Sequence, residues 1–205
     1  MRRVLLVAWI TLLPLGGLYH LVAGSEHQEM DQLGRELAEA RELVQQEQWG
    51  DALPHFETAL GGLPKEMLSQ SRQIRLEMAQ AKMNASRLPE AHGDLKGLLD
   101  EILMERTEPS KEPKPDTHLL ERSVRESLAN SQFYMTWLMR LEGLPHSEWE
   151  PEIESARQNY RMLAEAAKKS GRSSDAKRQQ ENLEATIRLA RLDLTDLQGL
   201  PLPNQ

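Results

Sequence analysis

Apolar residues recur every three or four positions along most of the chain, which is the spacing of one face of an α-helix. The first run covers residues 30–44. A second run begins at Trp49 and is closed by Gly62 and Pro64, which are helix stop signals. Two amphipathic helices separated by a short break predict a helical hairpin.

The same pattern returns twice and is followed by one further helix. Apolar stripes over residues 67–85 and 91–102 predict a second hairpin, and stripes over 120–138 and 149–167 predict a third. A last stripe follows Ser173 and Ser174, and the hydroxyl of either serine suits a helix N-cap. One helix pair cannot bury its own apolar faces, so pairs must stack. We therefore predict an all-α solenoid of about three helical hairpins plus a C-terminal capping helix.

The positions of the breaks divide the chain into six predicted segments. A run with three prolines and no large apolar residue precedes the third hairpin and is typical of an exposed connector. The predicted segments are a signal or anchor (1–24), helical pairs (25–105), a Pro-rich linker (106–118), a divergent hairpin (119–171), a C-terminal helix (172–198) and a tail (199–205).

The N-terminal segment predicts export from the cytoplasm. Arg2 and Arg3 precede an uncharged run over residues 4–24, about the length that crosses a bilayer as a helix. Ala23 and Gly24, which precede Ser25, also fit the end of a cleaved signal peptide. Both interpretations, and the third one of a buried helix, stay open. If uncleaved, residues 4–24 anchor the chain in the membrane, and the rest is expected in the periplasm or another extracytoplasmic space.

Composition excludes several classes of function. The chain has no cysteine, which rules out disulfides and thiolate metal sites, and its net charge of −7 argues against binding nucleic acid. The six histidines are scattered, and no phosphate loop, nucleophile elbow or dinucleotide fingerprint is present. We therefore predict no cofactor, no metal, no catalytic residues and no enzymatic activity.

One short motif resembles a known repeat family. Ala52, Phe56, Ala59 and Pro64 have the spacing of the second helix of a tetratricopeptide repeat, over residues 33–66. A second, degenerate copy covers residues 72–105, and together they suggest TPR-like pairs. The resemblance implies a scaffold for protein interaction rather than an activity.

The resemblance also implies where a partner would bind, because in that family the inner face of the array is built from first-helix positions. The corresponding residues here are Leu37, Arg41, Val44 and Gln45 in the first repeat and Leu76, Gln80, Met83 and Asn84 in the second. They offer apolar side chains flanked by amides and one guanidinium, which suits a protein or peptide segment. The alternative is that they pack within the protein.

Three functional hypotheses follow from the sequence. The first is an exported, non-catalytic scaffold, anchored or not, that binds a protein or peptide partner through its TPR-like pairs. The second is a structural helical protein of the cell envelope that associates into a homo-oligomer. The third is an enzyme or ligand carrier without a readable motif.

Overall fold

The computed structural model describes residues 30–107, 115–193 and 196–197 of the chain. Within these residues the regular structure is helical throughout, with no strand. The prediction of an all-α fold built from packed consecutive helices is confirmed. The predicted signal or anchor segment lies outside the described residues.

The described residues form seven helices, and each agrees with one predicted apolar stripe. They are α1 (30–45), α2 (Trp49–Gly61), α3 (Leu68–Asn84), α4 (Leu88–Thr107), α5 (Pro115–Leu141), α6 (His146–Lys169) and α7 (Ser173–Arg191). The chain divides into two compact units, Met1–Ser71 and Arg72–Gln205, so the division falls near the start of α3.

In the first unit, α1 and α2 form a closely packed hairpin. Ala40 of α1 and Ala52 of α2 are completely buried, and Phe56 is 1% exposed. The His55 ring nitrogen Nδ1 lies 2.8 Å from Glu36 Oε2 and links the two helices. A Cβ atom added to Gly62 would lie 2.6 Å from the Leu33 side chain, so the turn after α2 passes close to α1 at this glycine.

In the second unit, apolar side chains join each helix to the next. Leu76 of α3, Leu98 and Ile102 of α4, and Val124 of α5 belong to one buried cluster. Phe133 of α5 packs in a second cluster with residues of α6 and α7. The residues of α7 in this cluster include the fully buried Leu189. The closing helix α7 therefore covers α6, as the sequence predicts for a capping helix.

The Pro-rich linker is shorter than predicted and joins neighbouring helices. α4 continues through Thr107 and α5 begins at Pro115, so both ends of the predicted 106–118 linker are helical and residues 108–114 lie outside the described range. Proline suits the first position of a helix because its missing N–H has no intrahelical partner there. Leu120 and Val124 of α5 pack in the same cluster as Ile102 of α4, which places the two helices side by side.

Candidate binding groove

A groove with a volume of about 940 Å³ lies in the second unit. Its walls come from the last turns of α4, the first turns of α5, the C-terminal half of α6 and the turn before α7. Arg106, Leu119, Met162 and Arg172 represent these four segments. The groove thus lies where three helix ends and one helix face meet.

The floor of the groove is apolar and open to solvent. Leu119 is 59% exposed and Met162 is 46% exposed, although both flank residues of the core, Leu120 and Leu163. Met162 and Ala166 stand four residues apart on α6 and therefore share one helical face. The apolar residues that line the groove are Leu103, Leu119, Met162, Leu163 and Ala166.

The walls of the groove carry a surplus of positive charge. The arginines among its described lining residues are Arg106, Arg122, Arg125 and Arg172. Glu121 accepts from Arg125 Nη2 at 2.8 Å and from Arg106 Nη1 at 3.4 Å. Asp175 Oδ2 accepts from Arg122 Nη1 at 3.3 Å and from Arg172 Nη1 at 3.0 Å. Four guanidinium groups thus share two carboxylates, which leaves an excess of two positive charges in a chain of net charge −7.

A chain of hydrogen bonds between α5 and α6 orients one of these arginines. Arg125 Nη1 donates to Asn159 Oδ1 at 3.1 Å, and Asn159 Nδ2 donates to Gln132 Oε1 at 3.1 Å. Gln132 Nε2 in turn donates to Ser155 Oγ at 2.8 Å. Asn159 and Gln132 are buried, and the Arg125 side chain is 15% exposed. The Arg125 guanidinium is therefore fixed in place before any ligand arrives.

The structure places the first four predicted partner-binding residues along α1. Arg41 and Gln45 are exposed, whereas Leu37 and Val44 are half-buried. These positions allow contact with a partner. The role of these α1 residues in binding stays a prediction. The four predicted residues of α3 belong to the second compact unit.

Two of the four predicted partner-binding residues of α3, Gln80 and Asn84, are exposed, whereas Leu76 and Met83 contribute to the core of the second unit. Leu76 is only 3% exposed and lies in the core with α4 and α5, so it cannot serve as a surface anchor. Met83 packs against the same core. Gln80 Nε2 donates to Ser127 Oγ at 2.9 Å, and Asn84 Nδ2 donates to the Gln80 carbonyl oxygen at 3.0 Å. The inner-face assignment fails for Leu76 because α5 covers this side of α3.

The groove residues are absent from the predicted set, although the sequence carries a signal for them. Leu119 and Met162 are large apolar residues that stand one position before the core residues Leu120 and Leu163, outside the helical stripe. Arg122 and Arg125 are three residues apart and share a face of α5. Apolar residues beside the stripe, followed by arginines, are the pattern that would have indicated a binding surface.

One side-chain arrangement has the residue types of a catalytic triad. His92 Nδ1 lies 3.3 Å from Ser131 Oγ, and His92 Nε2 lies 3.5 Å from Glu152 Oε2. Ser131 is completely buried, however, and its hydroxyl donates to the Leu128 carbonyl oxygen at 2.8 Å. Because nucleophilic catalysis needs an oxygen that substrate can reach, this arrangement acts as a polar link between α4, α5 and α6.

The described residues contain neither a metal-binding cluster nor a membrane-spanning helix. Across residues 30–107, 115–193 and 196–197, no group of three or more histidine, aspartate or glutamate side chains is placed to hold a metal ion. In the same part of the chain, no helix has both the length and the apolar character needed to cross a bilayer.

Comparison with known proteins gives no relative for this chain. No protein-family model matches it, and neither a curated protein nor a solved structure does. The resemblance to tetratricopeptide repeats therefore stays a prediction based on Ala52, Phe56, Ala59 and Pro64.

Proposed function

We propose that this protein is a non-catalytic binding scaffold whose groove docks a segment of a protein partner. The observation that carries the proposal is the exposure of Leu119 and Met162 on the floor of a groove walled by arginines. Large apolar side chains in a concave site provide affinity, and charged groups around them fix the orientation of what binds.

The scaffold is proposed to act outside the cytoplasm. The support is the sequence of the N-terminus, where Arg2 and Arg3 precede the uncharged run over residues 4–24. The groove would then face partners in the periplasm or another extracytoplasmic space, and an uncleaved N-terminal segment would hold it near the membrane.

The polar interior of the second unit supports a scaffold with a fixed shape. Gln132 of α5 and Asn159 of α6 are buried and bonded to each other, and Gln132 also donates to Ser155 of α6. Satisfied buried polar groups favour one packing arrangement over others, because a shift would leave them unpaired. A rigid groove loses less entropy on binding than a flexible one.

Selection from a random peptide library displayed on phage tests this function with the full-length protein as bait. We expect enriched peptides that bind the wild type and lose binding to the double variant Leu119→Glu and Met162→Glu. Both substitutions are at exposed positions, so the fold should tolerate them.

The matched control is the double variant Leu138→Glu and Leu141→Glu, which changes two leucines of α5 that are 39% and 40% exposed and do not line the groove. It should bind the selected peptides like the wild type. Selection that yields no saturable peptide binding, or binding that survives Leu119→Glu with Met162→Glu, contradicts the proposal.

A further inference from the structure

We infer that the segment docked in the groove is an acidic amphipathic α-helix. This inference rests on the proposed function and specifies its partner by chemistry. Three features of the groove lead to it: the charge of its walls, the kind of backbone that forms them and the exposure of its floor.

The charge of the walls selects an acidic occupant. Among the residues that the structure describes, Arg106, Arg122, Arg125 and Arg172 contact two carboxylates, those of Glu121 and Asp175. A partner that brings two or more carboxylates would balance the excess charge. Arginine binds carboxylates in a planar, two-point geometry, and Arg125 is already oriented by Asn159.

The walls of the groove favour a helical occupant over an extended one. An extended peptide needs backbone partners for its own N–H and C=O groups, and a sheet edge normally supplies them. The walls here are α4, α5, α6 and the turn before α7, and none of these described segments is a strand whose edge could pair with an extended peptide. A helical peptide makes its backbone hydrogen bonds within itself, so it can bind this groove through side-chain contacts alone.

The exposure of the floor favours a macromolecular segment over a small molecule. A small ligand is usually buried over most of its surface in a closed pocket. In this groove Leu119 of α5 is 59% exposed and Met162 of α6 is 46% exposed. An amphipathic helix with apolar residues at positions i, i+3, i+4 and i+7 can cover both side chains at once.

The inference is tested by fluorescence anisotropy with three labelled model helices and the full-length protein. The helices share one leucine stripe and differ only on the polar face, which carries glutamate, glutamine or lysine. We expect the glutamate helix to bind about tenfold more tightly than the glutamine helix, as two partly exposed ion pairs would give. The lysine helix should show no saturable binding.

Salt and helix content provide two further measurements on the same peptides. Raising the salt from about 0.1 M to about 1 M shortens the screening length from about 10 Å to about 3 Å, so the preference for glutamate should shrink. A glutamate peptide with proline at its centre cannot form the continuous helix and should bind no better than the lysine helix.

Arginine variants test whether the preference for the glutamate helix comes from the groove. The double variant Arg106→Gln and Arg172→Gln should lose the preference for glutamate and keep its affinity for the glutamine helix. The control is Arg87→Gln with Arg157→Gln, which removes two arginines that pair with a glutamate three residues away and do not line the groove. It should keep the full preference.

Each contrary outcome has a distinct meaning. If the glutamine helix binds as tightly as the glutamate helix, or if phage-selected peptides bind the groove but the glutamate helix does not, the acidic-helix inference is wrong and the scaffold function stands. If no groove-dependent peptide binding is found at all, both are wrong. If the wild type sediments with phosphatidylglycerol vesicles and Arg106→Gln with Arg172→Gln does not, while no helix binds, the groove recognises an anionic membrane surface and the inference is also wrong.

Discussion

Arg72 of α3 donates from Nε to Glu101 Oε1 of α4 at a distance of 2.8 Å. The same carboxylate accepts from Arg75 Nη1 at 2.6 Å, and Arg72 also pairs with Glu105. The Arg72 side chain is only 10% exposed. A buried guanidinium that loses its partner is left with uncompensated charge, so this contact fixes how α3 and α4 pair in the second unit.

The first prediction concerns the stability that this contact provides. Glu101→Gln should lower the free energy of unfolding by about 1 kcal/mol at neutral pH, because Arg72 and Arg75 lose a charged acceptor. The loss is smaller than for a fully buried pair, since Glu101 is 38% exposed and water screens it. Urea unfolding measures it. As a control, Glu181→Gln removes the partner of the exposed Lys177 and should leave the urea midpoint close to the wild-type value.

The same residue predicts how stability depends on acid pH. Burial, the largest single effect, raises the pKa of Glu101, but the hydrogen bonds and charges of Arg75 and Arg72 together lower it below its ordinary value of about 4.5. A carboxyl group whose pKa is lowered on folding stabilises the protein above the unfolded pKa and ceases to do so as pH falls through the folded pKa. The stability difference between wild type and Glu101→Gln should therefore shrink below about pH 4.5. A difference that stays constant from pH 7 to pH 3 would contradict this assignment.

A second prediction concerns the hydroxyl group of Tyr160. It donates to Asn130 Oδ1 at 2.6 Å, and the residue is completely buried. Burial, followed by the nearby charge of Glu126, raises the pKa of Tyr160 far above its ordinary value of about 10. In the folded protein this hydroxyl should stay protonated, so its tyrosinate absorbance should appear only when the protein unfolds.

The sign of the alkaline effect follows from the raised pKa of Tyr160. Below pH 10 the hydroxyl is protonated in both states, and above it the unfolded state alone ionises, which lowers the stability of the fold as pH rises. Tyr160→Phe should cost about 1 kcal/mol at neutral pH through the lost hydrogen bond. The difference in unfolding free energy between the wild type and Tyr160→Phe should become smaller above about pH 10. Tyr134→Phe removes the hydroxyl of another tyrosine, on α5, and serves as the control. Its stability should fall above about pH 10 as that of the wild type does.

The helices could be predicted from the sequence because apolar spacing and stop signals are local properties of the chain. Ala52, Phe56 and Ala59 share one face of α2 by spacing alone, and all three are buried. Pro115 shows the limit of this approach. Prolines in a polar stretch indicate a connector, but in the structure α5 already begins at Pro115, and Leu120 packs in the same cluster as residues of α4.

The groove was not predicted, because its residues come from three helices and the turn before α7. Arg106 and Arg172 are distant in sequence, and the fold alone brings them to the same groove. The expectation for Leu76 was wrong for a related reason. A repeat pattern gives the face of α3 on which Leu76 lies, but the neighbour that covers this face is α5, from outside the repeat.

A third prediction concerns the small residues between α1 and α2. Ala52 and Ala59 are 0% and 1% exposed, so an added isobutyl group has no space without moving the backbone. Ala52→Leu and Ala59→Leu should each destabilise the protein by about 1–3 kcal/mol. Ala38→Leu, at an exposed position of α1, is the control and should have little effect on urea unfolding. Unchanged midpoints for both buried substitutions would mean that the hairpin is not closely packed at these residues.

The last prediction distinguishes the groove from the surface that the repeat resemblance implies. The quadruple variant Arg41→Ala, Gln45→Ala, Gln80→Ala and Asn84→Ala removes the polar side chains of that surface and leaves the groove unchanged. Gln80 and Asn84 are exposed, and each also makes one hydrogen bond within the protein, Gln80 Nε2 to Ser127 Oγ and Asn84 Nδ2 to the Gln80 carbonyl oxygen.

We therefore expect this variant to bind the phage-selected peptides as the wild type does, with a stability loss of about 1 kcal/mol from the Gln80 to Ser127 hydrogen bond. Anisotropy titrations with one selected peptide and urea unfolding measure the two effects separately. Binding that is lost in the quadruple variant but kept in Leu119→Glu with Met162→Glu would assign the partner to α1 and α3. Because the exposed Arg41 and Gln45 lie on α1, in the other compact unit, the single variants Arg41→Ala and Gln80→Ala would then show which of the two helices carries it.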